Sequence, residues 1–362
     1  MREFDKYSIS SKILFKCKVQ VNKTNNWWDN YVRHKMSRDN ANRLRKRVVS
    51  KRGNKIVNRR LKNTIREYCQ NSFGSASYWP WIALYTELRG EFKRGWMPND
   101  YYRFCLLPKM NPEKLMRFSE VKTLDHKLFN EFMVEPLLLR INGNYYNNKD
   151  EFKTISEVRK LLDDFDNEIV IKPVAGRGGK QIIFKKSKEL RLEDLTGKTD
   201  YVFQRIVKQH SELNKLHPHS INTFRVTTYI DKNGSTKVKF IIIRYGRGGA
   251  RVDNASSGGG WIFVNPDGTV EPDAFDGYGN YIGKTHPDTG ISFADLELPF
   301  MDKIINFCKN AHHLFPHNRI IGWDVFVDEK ENPKLIEWNA NNPFFMAIEA
   351  HYGPFFKDII NK

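Results

Sequence analysis

The stretch Ile320–Pro343, IIGWDVFVDEKENPKLIEWNANNP, decides how the rest of the chain is read. Two apolar runs, Ile320–Val327 and Lys334–Asn339, flank a polar turn containing Asp328, Asn332 and Pro333, the pattern of a β-hairpin. Successive strand side chains point to opposite faces. Ile321, Trp323, Val325 and Val327 therefore point one way, and Gly322, Asp324 and Phe326 the other. On the return strand Leu335, Glu337 and Asn339 are expected to share a face. With 328–333 as the loop, Val327 pairs with Lys334 and Asp324 falls opposite Glu337. Facing carboxylates ~5 Å apart repel by ~3 kcal/mol at an effective dielectric of about 20, and like charges across a ladder destabilise it. A cation reverses that sign: two carboxylates and an amide oxygen two residues on are oxygen donors suited to Mg²⁺ beside phosphates. A solvated acidic face, or a register one residue off, accounts for the same residues without a metal.

With 362 residues, 40% of them hydrophobic and 13% aromatic, the chain is long and apolar enough for two or three globular substructures. Its first residues, MREFDKYSISSKILFKCKV, lack the apolar core of a signal peptide. No run reaches the ~18 apolar residues of a membrane span. Cys17, Cys69, Cys105 and Cys308 are scattered without CxxC spacing, which predicts reduced thiols in a cytoplasmic protein and speaks against structural zinc.

The formal net charge of +18 is uneven. Between Arg33 and Arg66 stand fourteen Lys or Arg against Asp39 alone, a local +13 that leaves about +5 for the remainder. Leu44 and Val48, then Val57, Leu61, Ile65 and Tyr68, recur at three or four residues on either side of Gly53, predicting two amphipathic helices with basic outer faces. Such a face suits an anionic membrane, a lipid-linked phosphate, an acidic glycan or a nucleic acid; a merely solvated helix face is the plainer reading. The aromatics of 76–118 carry no assignable chemistry and read as packing.

Further along, Ser156–Phe165 reads as a helix capped by Ser156. In EIVIKPVAGRGGKQIIF, strand Ile169–Lys172 and strand Gln181–Phe184 bracket the glycine-rich loop Ala175–Lys180. Glycines let backbone N–H groups close around phosphate oxygens, with Lys172, Arg177 and Lys180 supplying positive charge. The loop is neither GxxxxGK[ST] nor GxGxxG. YVFQRIV (Tyr201–Val207) is a buried strand, and His210, His217 and His219 read as exposed loop histidines. INTFRVTTYI and KVKFIIIRYG form a strand pair placing Arg225 and Arg244 on a sheet, where a phosphate, a carboxylate ligand or an ion pair would meet their charge. Seven glycines in 246–268 favour a mobile loop closing over a ligand, or an irregular turn, and Phe300–Phe315 reads as a packing helix with Ile304, Ile305, Cys308, Ala311 and Leu314 on one face.

Taken in order, IVIKP–AGRGGK, FQRIV, NTFR and GWDVFV–LIEWNANNP resemble the ATP-grasp fold. Together with RVDNASSGGG and HPDTG they resemble most the ATP-grasp family associated with sugar transfer in bacterial polysaccharide gene clusters, over about residues 119–362. The resemblance implies an α+β fold in which two subdomains, about 119–206 and 207–362, sandwich ATP; a basic, largely helical region over 1–118, read from charge and periodicity, precedes it, and the first 75 residues find no clear counterpart in the family. It further implies that Lys172 contacts the α- and β-phosphates while Gly176, Arg177, Gly178, Gly179 and Lys180 close over them. The hinge Gln204, Arg205, Ile206 and Val207 would read adenine through its backbone, Gln204 standing where many relatives carry an acid. Glu212 is the candidate ribose-binding acid. Asp324, Glu337 and Asn339 would ligate Mg²⁺, and Arg225 and Arg244 would stabilise the γ-phosphoryl group in transfer.

The function so implied is an ATP- and Mg²⁺-dependent carboxylate–amine ligase working through an acyl phosphate, joining for example an amino acid to a uronic-acid sugar of a surface polysaccharide. Its partners would be a carboxylate substrate, an amine acceptor and, through Arg33–Arg66, an anionic membrane or glycan surface at the inner membrane face. Two other classes compete: a sugar or small-molecule kinase on the same fold, and a non-catalytic nucleotide-binding protein. The acids and Asn339 disfavour the latter. The absence of a KxDG lysine disfavours a nucleic-acid ligase.

Overall fold

The computed structural model describes residues 9–174, 181–195, 199–253, 258–343 and 346–360, with the backbone alone for 9–27 and 360. The chain divides into two compact units, Met1–Leu106 with Glu349–Lys362, and Leu107–Ile348.

Among the described residues the second unit holds two antiparallel sheets. The six strands of the first are β1 (Pro136–Ile141), β2 (Asn144–Tyr146), β3 (Phe152–Lys153), β4 (Glu168–Pro173), β5 (Ile183–Lys186) and β6 (Tyr201–Arg205), in the order β3-β2-β1-β6-β4-β5. Alternation along β4 buries Ile169 and Ile171 with Leu138, Tyr145 and Phe203 against Val158 and Leu162 of the helix Ile155–Phe165. That helix is capped by Thr154, not Ser156. Thr154 Oγ1 accepts from Glu157 N while the Glu157 carboxylate accepts from Thr154 N, a reciprocal pair that Ser156, already inside the first turn, is not placed to make. Lys172 is left on the opposite face of the sheet from Ile171.

The second sheet comprises β7 (Thr223–Ile230), β8 (Thr236–Tyr245), β9 (Gly260–Val264), β10 (Val270–Phe275), β11 (Tyr281–Gly283), β12 (Ile320–Val327) and β13 (Pro333–Asn339), ordered β11-β10-β9-β8-β7-β12-β13. Val226, Ile241, Ile243, Ile321, Trp323, Val325 and Val327 pack on the helix Met301–Leu314 through Ile304, Cys308 and Ala311, whereas Leu314 is exposed. Strand β12 is buried along its whole length, so burying its polar residue Asp324 requires partners.

The hairpin reaches its expected pairing by a different route. Val327 pairs with Pro333, Phe326 with Lys334 and Val325 with Leu335, and a bulge then restores Asp324 opposite Glu337. Ile336 is the extra residue. It turns Leu335 into the core beside Trp338, so Leu335 does not share the face of Glu337 and Asn339.

In the first unit the helix Ile9–Arg52 ends at Gly53, whose φ of 81° suits glycine, and the helix Arg59–Phe73 follows, capped by Asn58. Val57 is buried ahead of this second helix rather than within it. Eleven of the fourteen basic residues of Arg33–Arg66 are exposed. Arg38, Arg45 and Lys62 instead cover the rings of Tyr78 and Trp79 at 4.7, 5.1 and 4.3 Å, and Arg52 pairs with the buried Glu87. Among the described residues no helix is long and apolar enough to cross a membrane.

Candidate active site

Three neighbouring strands of the second sheet place Arg225 directly across from Asp324, and Asp324 across from Glu337. Arg225 donates from Nε to Asp324 Oδ1 and from Nη2 to Oδ2, the latter at 2.8 Å. Arg244, on β8, brings Nη2 to 3.2 Å from Oδ2, and Asn339 Nδ2 donates to the same oxygen at 3.2 Å. Burial alone would push the Asp324 carboxyl up, but the two guanidiniums outweigh it and hold Asp324 below the ordinary carboxylate range. Arg244 also donates to Thr223 Oγ1 at 2.8 and 3.1 Å, and Thr223 Oγ1 donates to Asp253. Asp253 is pushed up by burial, with Arg244 and Thr223 opposing. The result is one chain of contacts, Asp253–Thr223–Arg244–Asp324–Arg225.

This packing requires glycine at position 322. A Cβ there would lie 2.9 Å from Pro343 O and 3.2 Å from Arg225 Cδ, so a side chain would displace the arginine or the segment following β13.

A second group of charges gathers around Glu337. Lys122 Nζ is 3.6 Å from Glu337 Oε2. Lys172, on β4 of the other sheet, is pushed down to about 8, first by burial and next by the Lys122 ammonium, with Glu337 and Asp125 opposing. Asp125 is 3% exposed, and its Oδ1 accepts from the Trp338 indole at 2.8 Å. Burial pushes this carboxyl up to about 8, against the Trp338 hydrogen bond and with Glu337 adding to the rise. Asp125 is therefore mainly neutral at pH 7, and Lys172 mainly charged. No sequence pattern by itself points to Lys122, Asp125, Thr223 or Asp253. LDHKLF reads as a helix with no sign that its acid is buried, and only the segment RVDNASSGGG marked the neighbourhood of Asp253.

Gln204 is buried and spends its amide on Val134 O at 2.6 Å. Arg205 lies over the Phe165 ring at 4.7 Å, and Ile206, beyond the end of β6, is exposed, with Val207 half-buried. Glu212, on the short helix Ser211–Leu216, pairs with Lys215. Gly176, Arg177, Gly178, Gly179 and Lys180 lie outside the described residues. His217 is buried rather than exposed: Nδ1 is 3.0 Å from Ser220 Oγ and the ring 5.5 Å from that of His286, which itself bonds Gly246 O at 2.8 Å.

Among the described residues no three His, Cys, Asp or Glu side chains converge as a metal-binding group. The set here is two carboxylates and an amide. It fits Mg²⁺ by donor chemistry, being all oxygen with no thiolate or imidazole. Because Asn339 donates from Nδ2, its Oδ1 is left as an acceptor beside the half-exposed Glu337 carboxylate. Glu337 and Asn339 thus offer the open oxygens, and Asp324 is shared with two arginines. Four cations and this oxygen set suit a polyphosphate together with its counter-cation.

The profile of the family described as "Sugar-transfer associated ATP-grasp" matches residues 105–355. No curated protein matches the chain in sequence. Among solved structures, the ATP-grasp ligase PsnB complexed with minimal precursor is similar at 15% identity over 70% of this chain and 62% of that one, with a TM-score of 0.38. Biotin carboxylase from Campylobacter jejuni is similar at 10% identity, 67% and 45% coverage and a TM-score of 0.40. Carboxyaminoimidazole ribonucleotide synthase from Aspergillus clavatus is similar at 12%, 64% and 47%, with 0.39. The chain thus spans less than two thirds of the length of each.

Proposed function

Because the chain belongs to the sugar-transfer associated ATP-grasp family and has the ATP-grasp fold, we propose that it is an ATP- and Mg²⁺-dependent carboxylate–amine ligase, modifying a sugar or glycan of a bacterial surface polysaccharide. The observation that carries this reading is the joint placement of Asp324, Glu337 and Asn339 on one face of the β12–β13 hairpin, beside Arg225 and Arg244, with Lys172 contributed by the other sheet.

Lys172 and Lys122 bind phosphate oxygens, and Gly176–Lys180 are the candidates for further phosphate contacts through their backbone N–H groups. The hinge Gln204–Val207 lies against adenine, and Glu212 is the candidate for the ribose. Glu337 and Asn339, with Asp324, hold Mg²⁺, which neutralises phosphate charge. A carboxylate oxygen of the substrate takes the γ-phosphoryl group and ADP leaves; the acceptor amine then attacks the acyl carbon, releasing phosphate and forming an amide. Arg225 and Arg244 stabilise the transferring phosphoryl group and the acyl phosphate electrostatically. Asp324 holds both guanidiniums in place, so their orientation costs no rearrangement during transfer. Asp125, neutral at pH 7, keeps a further negative charge away from the polyphosphate.

The exposed basic residues of Arg33–Arg66 dock the enzyme from the cytoplasm on an anionic surface, where each can contribute ~1 kcal/mol. A hydroxylamine assay tests the chemistry. With a panel of carboxylates that includes uronic acids, ADP release is expected together with a hydroxamate, the trapped acyl phosphate. ADP release with a stable phosphorylated sugar and no hydroxamate would make the protein a kinase instead.

A further inference from the structure

The unit that contains the long basic helix holds a second cluster with its own chemistry. His34, on the helix Ile9–Arg52, brings Nδ1 to 3.2 Å from Asp100 Oδ2, and its Nε2 lies 3.9 Å from Cys105 Sγ. The Tyr78 hydroxyl is 3.6 Å from the same sulfur. Arg38, one helical turn beyond His34, donates from Nε to Asp100 Oδ2 at 2.8 Å. The rings of Phe104 and Tyr78 stand edge-on to the imidazole at 5.0 and 5.7 Å and wall it in. Asp100 is fully buried, and its Oδ1 has no hydrogen-bond partner among the described residues. Cys105 is half-exposed and sits on a π-helical turn, Tyr102–Leu106, an irregularity that recurs at functional sites.

An acid that orients an imidazole, which in turn contacts a thiol, is the arrangement that activates a cysteine nucleophile. A cysteine serving only as packing would be enclosed by apolar groups. Cys69 and Cys308 are of that kind: both are buried, and burial pushes the Cys69 thiol up to about 12 and Cys308 well above the ordinary value. We propose that Cys105 is a nucleophilic thiolate site, activated by His34 and positioned through Asp100, that exchanges with small disulfides to form a mixed disulfide.

The electrostatics agree with that geometry. The hydrogen bond to Asp100 is the first cause raising His34, to about 9, so the imidazole is protonated at neutral pH. Burial would raise the Cys105 thiol, but the contacts from His34 and Tyr78 outweigh it, and the thiol is lowered. The groups facing the sulfur are His34, Asp100 and Tyr78, with Arg38 beyond Asp100 and Tyr101 nearby. In the exchange, the Cys105 thiolate attacks one sulfur of the disulfide. The S–S bond of the reagent breaks, and its second half leaves as a thiolate that takes the proton from His34. One disulfide and one thiol are consumed, and one of each is formed.

The test uses the full-length protein, oxidised glutathione and peptide mapping by mass spectrometry, which separates Cys105 from Cys17. The expected product is a single mixed disulfide at Cys105, reversed by dithiothreitol. Alkylation of Cys105 by iodoacetamide, followed against pH, is expected to show a midpoint below the ordinary thiol value of about 8.5. His34→Gln should move that midpoint up and slow labelling at pH 6 several-fold, with the melting temperature little changed. If that variant does not fold, Tyr78→Phe replaces it, with a smaller upward shift expected. A wild-type midpoint at or above the ordinary value, or a variant profile that coincides with wild type, overturns the proposal.

Discussion

Replacing Asp125 by Asn removes a titration that the fold makes costly. The native carboxyl titrates at about 8, against 3.8 for the free group. Of that displacement of about four units, the roughly three that lie below pH 7 count there, and at ~1.4 kcal/mol each they amount to roughly 4 kcal/mol. The sign follows from proton counting. Between those two values native Asp125 keeps a proton that the unfolded chain has released. Its contribution is therefore favourable below the unfolded value, falls as pH rises, and is fully lost by about pH 8. Asn has the same shape, still accepts from the Trp338 indole and does not titrate. The stability of Asp125→Asn minus wild type should therefore climb by about 4 kcal/mol between pH 4 and pH 7. Urea unfolding followed by circular dichroism at each pH measures the difference, and staying below pH 8 keeps the Lys172 titration largely out of it. A difference that stays level within ~1 kcal/mol would show that Asp125 is ionised in the native protein. Asp125 would then add a negative charge beside Lys172 and Glu337.

Three further outcomes are expected. Glu337→Gln should abolish Mg²⁺-dependent ADP release while leaving the circular dichroism spectrum intact; wild-type turnover in that variant would refute the metal assignment. ATP should raise the melting temperature of the wild type by linkage, about 2.7 kcal/mol at a hundredfold excess over Kd. Lys172→Ala should lose most of that shift, and equal protection of both proteins would place the phosphates elsewhere. Binding to liposomes containing anionic lipid should weaken steeply between low salt and 0.5 M as the Debye length shrinks to roughly 4 Å; binding that ignores salt would leave the basic residues as a solvated face.

What the sequence determined by itself was local and periodic. Alternation along IIGWDVFV separated Asp324 from Trp323 and Val325, and turn chemistry at Asp328–Pro333 set the β12–β13 hairpin, in which the bulge then brings Asp324 to Glu337. Glycine at 53 marked a helix end because φ of 81° excludes most side chains. The tertiary structure decided the rest. The bulge at Ile336 moves Leu335 into the core, because the Met301–Leu314 side offers apolar contact that the acidic face does not. Choosing Thr154 over Ser156 as the cap depended on which hydroxyl reaches the backbone of Glu157. That Arg225 and Arg244 share one carboxylate follows from strand order, β8-β7-β12, which no single strand encodes. The charge states of Asp125 and Lys172, and the contact of His34 with Cys105 across 71 positions, arise from burial and from meetings between distant segments. Residue type reports the charge a group can carry. How far a group is desolvated, and which partners meet it, is set when the whole chain has folded around it.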